Sequence, residues 1–123
     1  MIELIFTLIS WLFRRAPSFF DEVCFSTDSS GLYSGNHNLG VTPELLIFKT
    51  RGSVANWQVV STQLSGAQYF LRLNSTIAQY DNTNTNYTAS STAFTIPNSG
   101  FLATSASYVG YLFATCAGVS KVG

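Results

Sequence analysis

Apolar and polar residues alternate along most of this chain, and the alternation predicts strands. From Phe19 to Phe25, Phe19, Asp21, Val23 and Phe25 share one face of an extended chain, while Phe20, Glu22 and Cys24 share the other. Ser26-Thr-Asp-Ser-Ser-Gly31 ends this strand, because short polar side chains bond their own backbone in turns. Leu32 to Gly35 reads as a short return strand. Asn38-Leu-Gly40 then supplies a corner, Pro43 fixes φ and removes a donor, and Leu45 to Phe48 forms an apolar run of the kind covered on both faces. Trp57, Val59 and Ser61 alternate with Gln58 and Val60 as a hairpin partner for that run. Gly66 turns the chain into a further strand, in which Tyr69, Leu71 and Leu73 alternate with Phe70, Arg72 and Asn74. Ile77 to Thr92, with Asp81-Asn-Thr-Asn-Thr-Asn86 at its centre, shows no apolar period and reads as a long surface loop. Phe94 and Ile96 mark a short strand closed by Pro97-Asn-Ser-Gly100, and Tyr108 to Thr115 a long, well-packed one.

Composition agrees with this pattern. Ten Phe, six Tyr and two Trp, with many Thr, suit pleated, half-buried surfaces better than helices. The expected fold is therefore all-β. A chain of 123 residues that is 46% hydrophobic can bury one core. The expected organisation is an apolar segment over residues 1–17 followed by a single β module over 18–123. Six basic and six acidic residues cancel, and charged residues make up only 10% of the chain, so no electrostatic footprint for nucleic acid or an anionic membrane is present. Low charge also leaves sheet edges in need of protection by neighbours or assembly.

Met1 to Phe13 is apolar apart from Glu3, Thr7 and Ser10, yet it is shorter than the roughly 20 residues a membrane helix requires. Arg14 and Arg15 follow the apolar stretch, the reverse of a secretory signal. Trp11-Leu-Phe13 followed by Ala16-Pro-Ser18 echoes Tyr111-Leu-Phe113 followed by Ala117-Gly-Val119. The echo makes the first segment the last strand of a preceding module, free to take the form of a helix, an extra strand or a loose extension where its partners are missing.

Candidate chemistry is sparse. His37 is the only histidine, has no nucleophile motif beside it, and reads as a structural corner with Gly40 and Pro43, its ring bonded to nearby backbone. Asp21 and Glu22 are adjacent in a strand and point to opposite faces, so they cannot cooperate as a catalytic pair. Cys24 and Cys116 both fall in expected strands and read as two buried thiols; two cysteines do not establish a bridge. No zinc spacing, calcium loop or phosphate loop is present, so no cofactor or metal is expected. The triplets Asn74-Ser-Thr76 and Asn86-Tyr-Thr88 match the glycosylation pattern, which has meaning only in a secreted eukaryotic protein. Catalysis is not expected; a polysaccharide-degrading site would need two carboxylates converging from separate strands. For carbohydrate binding, Trp57, Tyr80 and Tyr87 supply stacking rings, and Asp81, Asn82 and Asn84 supply partners for hydroxyls. Trp57 itself reads first as a core residue.

Three stretches carry a family resemblance: Phe13-Arg-Arg-Ala-Pro-Ser-Phe-Phe-Asp-Glu-Val23, the segment from His37 to Arg51, and Tyr111-Leu-Phe-Ala-Thr-Cys-Ala-Gly-Val-Ser-Lys-Val-Gly123. In order and spacing they resemble the recurring modules of tailed-phage tail-fibre and virion structural proteins. The resemblance implies a jelly-roll or lectin-like antiparallel β-sandwich, repeated along a virion fibre, with like modules or chains as partners. It also implies recognition of a host surface, with glycan as the candidate ligand; the rival reading is an architectural spacer without a ligand. Recognition is expected mainly in Ile77 to Thr92 and secondarily in Ser26 to Ser34.

Overall fold

A computed structural model describes residues 10, 12–83, 86–97 and 102–123. Among these residues the structure contains no helix, and its strands form two antiparallel sheets. The strands are β1 (Phe20–Ser26), β2 (Tyr33–Asn36), β3 (Leu45–Thr50), β4 (Gln58–Ser61), β5 (Tyr69–Arg72), β6 (Tyr80–Asp81), β7 (Thr88–Ala89), β8 (Ala93–Ile96) and β9 (Ser107–Phe113). The larger sheet runs β1-β9-β3-β4-β5-β6 and the smaller β2-β8-β7.

The period of two decides which side chains enter the core. On the larger sheet Phe25, Leu46, Phe48, Val60, Phe70, Tyr108 and Leu112 point inward and meet Phe94 and Ile96 from β8, with Leu39, Leu102 and Ala114 closing the ends. Phe25 stacks on Tyr108 at 5.3 Å and meets Phe94 edge-on at 5.8 Å, so the two layers are joined through aromatic rings. Leu45 to Phe48 is wholly buried only on this inner face; Leu45 and Ile47 are half-buried on the outer one. Phe20 also points outward, yet it is buried because Phe13, Phe19 and Phe113 pack around it.

Strand register defines two ends of the sandwich. Phe20, Phe113, Leu45 and Ser61 are aligned partners, and the Tyr69–Asp81 pair continues their row. We call this end proximal, since both ends of the described chain leave from it. At the distal end Ser26 pairs with Ser107 and Thr50 with Tyr108.

Several sequence expectations are corrected here. The region from Ile77 to Thr92 is not one loop: β6 pairs with β5 and β7 with β8. Pairs of this length rest on backbone bonds and leave no side-chain period to read. β9 stops at Phe113, so Cys116 lies beyond the strand in a turn, half-buried, while Cys24 is exposed on the outer face of β1. Both thiols are free, and neither is the buried core thiol expected. Of the apolar first segment, Ser10, Leu12 and Phe13 are described and none belongs to a helix or strand. Residues 1–9 and 11 lie outside the described residues, as do Asn98, Ser99 and Gly100 of the expected turn.

Candidate functional site

Among the described residues the buried polar side chains are Asp21, Thr27, His37 and Thr50; the first three hold loops to the sandwich, while the Thr50 hydroxyl, at the end of β3, donates to the Ser107 carbonyl of the neighbouring β9 at 3.3 Å. Asp21 occupies the inward face of β1. One carboxylate oxygen accepts from Arg15 Nε at 2.6 Å and the other from the Asn38 backbone N–H at 2.7 Å. The acid therefore clamps the segment before β1 to the corner after β2. His37 extends that corner: its Nδ1 accepts from the Leu39 N–H at 3.2 Å, which leaves Nε2 as the donor to the Ser90 carbonyl at 3.1 Å. Gly40, with φ of 79°, and the buried Pro43 carry the chain from there into β3.

Distal loops are held in the same manner. Thr27 Oγ1 accepts from the Ala106 N–H at 3.0 Å and donates to the Ala103 carbonyl at 2.7 Å, tying the β1–β2 loop to the segment before β9. Asp28 organises its own turn, accepting from the Ser30 N–H, the Ser30 hydroxyl and the Leu32 N–H at 2.7 to 2.9 Å. These bonds, led by the Ser30 hydroxyl, lower the carboxyl pKa from its ordinary value.

The sugar-binding set foreseen in the sequence is divided by the structure. Trp57 lies at the distal end on the outer face of the larger sheet, half-buried and stacked on Tyr111 at 6.5 Å and 19°. It is not a core residue. Tyr80 and Tyr87 pack against the core from the opposite side of that sheet. The Tyr80 hydroxyl donates to Gln58 Oε1 at 3.1 Å and its ring lies 5.0 Å from the Arg72 guanidinium carbon. Burial raises the Tyr80 pKa, and Arg72 offsets part of the rise. The Tyr87 hydroxyl is buried without a hydrogen-bond partner among the described residues, and burial pushes its pKa far up. Asp81 is exposed and Asn82 half-buried at the proximal end, where the Asn82 N–H donates to the Gln68 carbonyl at 2.9 Å. Asn84 lies outside the described residues. Of the set, Tyr80, Asp81 and Asn82 stay together on and just after β6, and the Tyr80 and Tyr87 rings serve the core.

Sequence reading weighs Asp21 only as a catalytic acid and passes over Thr27. The signal was present for Asp21, since an acid sharing a face with Val23 and Phe25 must find donors inside. Acids do not gather elsewhere: among the described residues no group of three or more His, Cys, Asp or Glu comes together. Glu44 instead accepts from the Thr115 N–H at 2.8 Å and the Thr115 hydroxyl at 3.0 Å, fixing the chain beyond β9. No described helix is long and apolar enough to cross a membrane.

The fold and its polar contacts thus define an all-β sandwich in which Asp21, Thr27 and His37 anchor loops. The chain belongs to the family described as "Domain of unknown function (DUF7483)", which matches residues 12–123. No curated protein and no solved structure gives a significant match.

Proposed function

We propose that this protein is a noncatalytic structural module of a phage tail fibre or related virion appendage that displays its loops for recognition of a host surface. The observation that carries the reading is the use of the buried polar side chains: Asp21, Thr27 and His37 each hold a loop against the sandwich. A sandwich with loops fixed in this way presents them with little ordering cost on binding. The resemblance of the chain to tail-fibre modules supplies the setting, and other modules or chains of the same appendage are the partners. Host-surface glycan is the ligand class, met by the distal turn around Asp28 and by the proximal Asp81 and Asn82. Weak single-site affinity would be raised by repetition.

A spacer role without a ligand is the rival reading, favoured by the apolar outer face of the larger sheet. Binding of the chain, coupled at high density to beads, to an array of bacterial surface polysaccharides separates the two. Retention that is lost on Asp81→Ala or Asp28→Ala supports recognition; no retention on any glycan at high density leaves the spacer role. Release of reducing sugar from the array would overturn both.

A further inference from the structure

Ala16–Phe20 and Cys116–Ser120 close the same small loop. In each, the first residue's N–H donates to the last residue's carbonyl, at 2.9 and 3.1 Å, and its carbonyl accepts in return, at 3.1 and 2.9 Å. A third bond runs from the fourth residue's N–H to the first carbonyl, at 3.2 and 2.9 Å. The middle residue is left-handed in both, Ser18 at φ 62° and Gly118 at φ 76°. These equivalent positions differ by 100 in residue number. The residues leading into the loops repeat at the same offset. Thr7-Leu-Ile-Ser-Trp-Leu-Phe13 matches Ser107-Tyr-Val-Gly-Tyr-Leu-Phe113 position by position in hydroxyl, bulky apolar, β-branched, small and aromatic character, ending on the same Leu-Phe. The second stretch is β9. A chemical match and a conformational match therefore fall on one register.

The two loops sit side by side at the proximal end, where the Ala114 N–H donates to the Phe19 carbonyl at 3.2 Å and Phe13 meets Phe113 edge-on at 5.5 Å. From there both ends of the described chain run over the outer face of the larger sheet. Leu12 and Phe13 line a cleft of about 480 Å³ with Ile47, Trp57, Leu73 and Tyr111. Val122 and Gly123 line a second, of about 470 Å³, with Leu45, Leu71 and Phe113. Leu12 is 93% exposed and Leu73 64%, so this face offers water an apolar surface bordered by the chain's own points of entry and exit.

We propose that the outer face of the six-stranded sheet is a contact between successive copies of this fold in one polypeptide, joined at 100-residue intervals through loops of the Cys116–Ser120 type. The proposal rests on the structural-module reading but not on any ligand. Because the chain enters and leaves at one end, neighbouring copies stand side by side, and the distal loops around Asp28 and Val54 point away from the joints together.

The test joins residues 20–123 directly after Val119 of the chain, so that the second copy keeps its own Phe20 and Asp21 and continues β1 in register. A control lacking Phe20 of the second copy puts Asp21 at the loop's last position and turns the following side chains to the wrong face. In urea, the in-register chain is expected to show about twice the unfolding amplitude of the single chain and a higher midpoint. Leu73→Lys in both copies should abolish the rise in midpoint while leaving the single chain's midpoint unchanged. The control should carry an unfolded, protease-sensitive second copy. A second copy that fails to fold in register, or folds equally well out of register, overturns the joint. An unchanged midpoint overturns the contact. So does a single chain that loses, on deletion of residues 1–11, as much stability as the appended copy adds, for then its own first residues cover the face. None of these readouts involves glycan, so failure of host recognition leaves them untouched.

Discussion

Replacing Asp21 should reveal how much of the proximal end depends on one buried acid. Asp21 is 2% exposed and makes two charge-assisted bonds, to the half-exposed Arg15 at 2.6 Å and to the Asn38 N–H at 2.7 Å. Hydrogen bonds to charged groups contribute about 1.5–3 kcal/mol, whereas an ion pair whose cation stays in water contributes about 0.2–1 kcal/mol. The Arg15 side chain is 55% exposed, so the Asn38 bond is the larger share. Asp21→Ala should therefore cost about 2 kcal/mol, after allowance for relief of the carboxylate's own desolvation. Arg15→Ala should cost about 1 kcal/mol alone and almost nothing when Asp21 is already Ala, because the buried charge it serves is gone. Urea denaturation of the four members of this double-mutant cycle measures both effects. An Asp21→Ala midpoint equal to that of the parent, or an Arg15→Ala cost that persists without Asp21, would refute the clamp.

Substitutions at four further positions follow the same logic. His37→Ala removes bonds to Leu39 and Ser90 and opens a cavity at a 5% exposed site, so urea denaturation should show a loss of about 2–3 kcal/mol; His37→Asn, which keeps an acceptor near the Nδ1 position, should recover part of it. Gly110 lies inward on β9, where an added Cβ would stand 3.3 Å from Leu46 Cδ1 and 3.4 Å from Phe25 Cε1; Gly110→Ala should cost about 1 kcal/mol and Gly110→Val about 3, and a Val variant as stable as the parent would contradict this packing. Tyr87→Phe deletes a buried hydroxyl that has no partner among the described residues, so the melting temperature should hold or rise; a fall of several degrees would mean the hydroxyl is satisfied. The folded pKa of Asp28 is depressed, so its turn gains stability above the ordinary carboxylate range and loses it as pH falls through the depressed value; the Ser30 and Leu32 amide resonances should shift there and stay flat in Asp28→Asn.

Much of the larger sheet was legible because its strands bury one face more than the other. β1, β3, β4, β5 and β9 each carry a period of two that the inward residues Phe25, Leu46, Phe48, Val60, Phe70 and Leu112 satisfy, and the β3–β4 hairpin has the pairing its pattern implies. β6 and β7 were not legible, since two-residue pairs are made by backbone groups and Asn- and Thr-rich sequence around them carries turn chemistry instead. The candidate ligand residues failed to assemble for a related reason. Residue type identifies a ring that can stack, but the strand's register decides its face, and Trp57 falls on the outer side of β4 while Tyr80 falls on the inner side of β6.

The same register explains why one outward surface is so apolar. Along the row that crosses the larger sheet, Tyr111, Ile47, Val59 and Leu71 are consecutive cross-strand partners, and all four point away from the smaller sheet. In a sheet with one wet face, such a row would carry Thr, Ser or charge, as Glu22 does opposite Tyr111 on β1. The apolar run of β3 has the pattern of a strand covered on both sides, and here it is covered fully on one. The discrepancy lies in the number of layers and not in the strand: a pattern of this kind is complete when something apolar is laid against the second face. Leu12 and Val122, near opposite ends of the described chain, each line a cleft on that face.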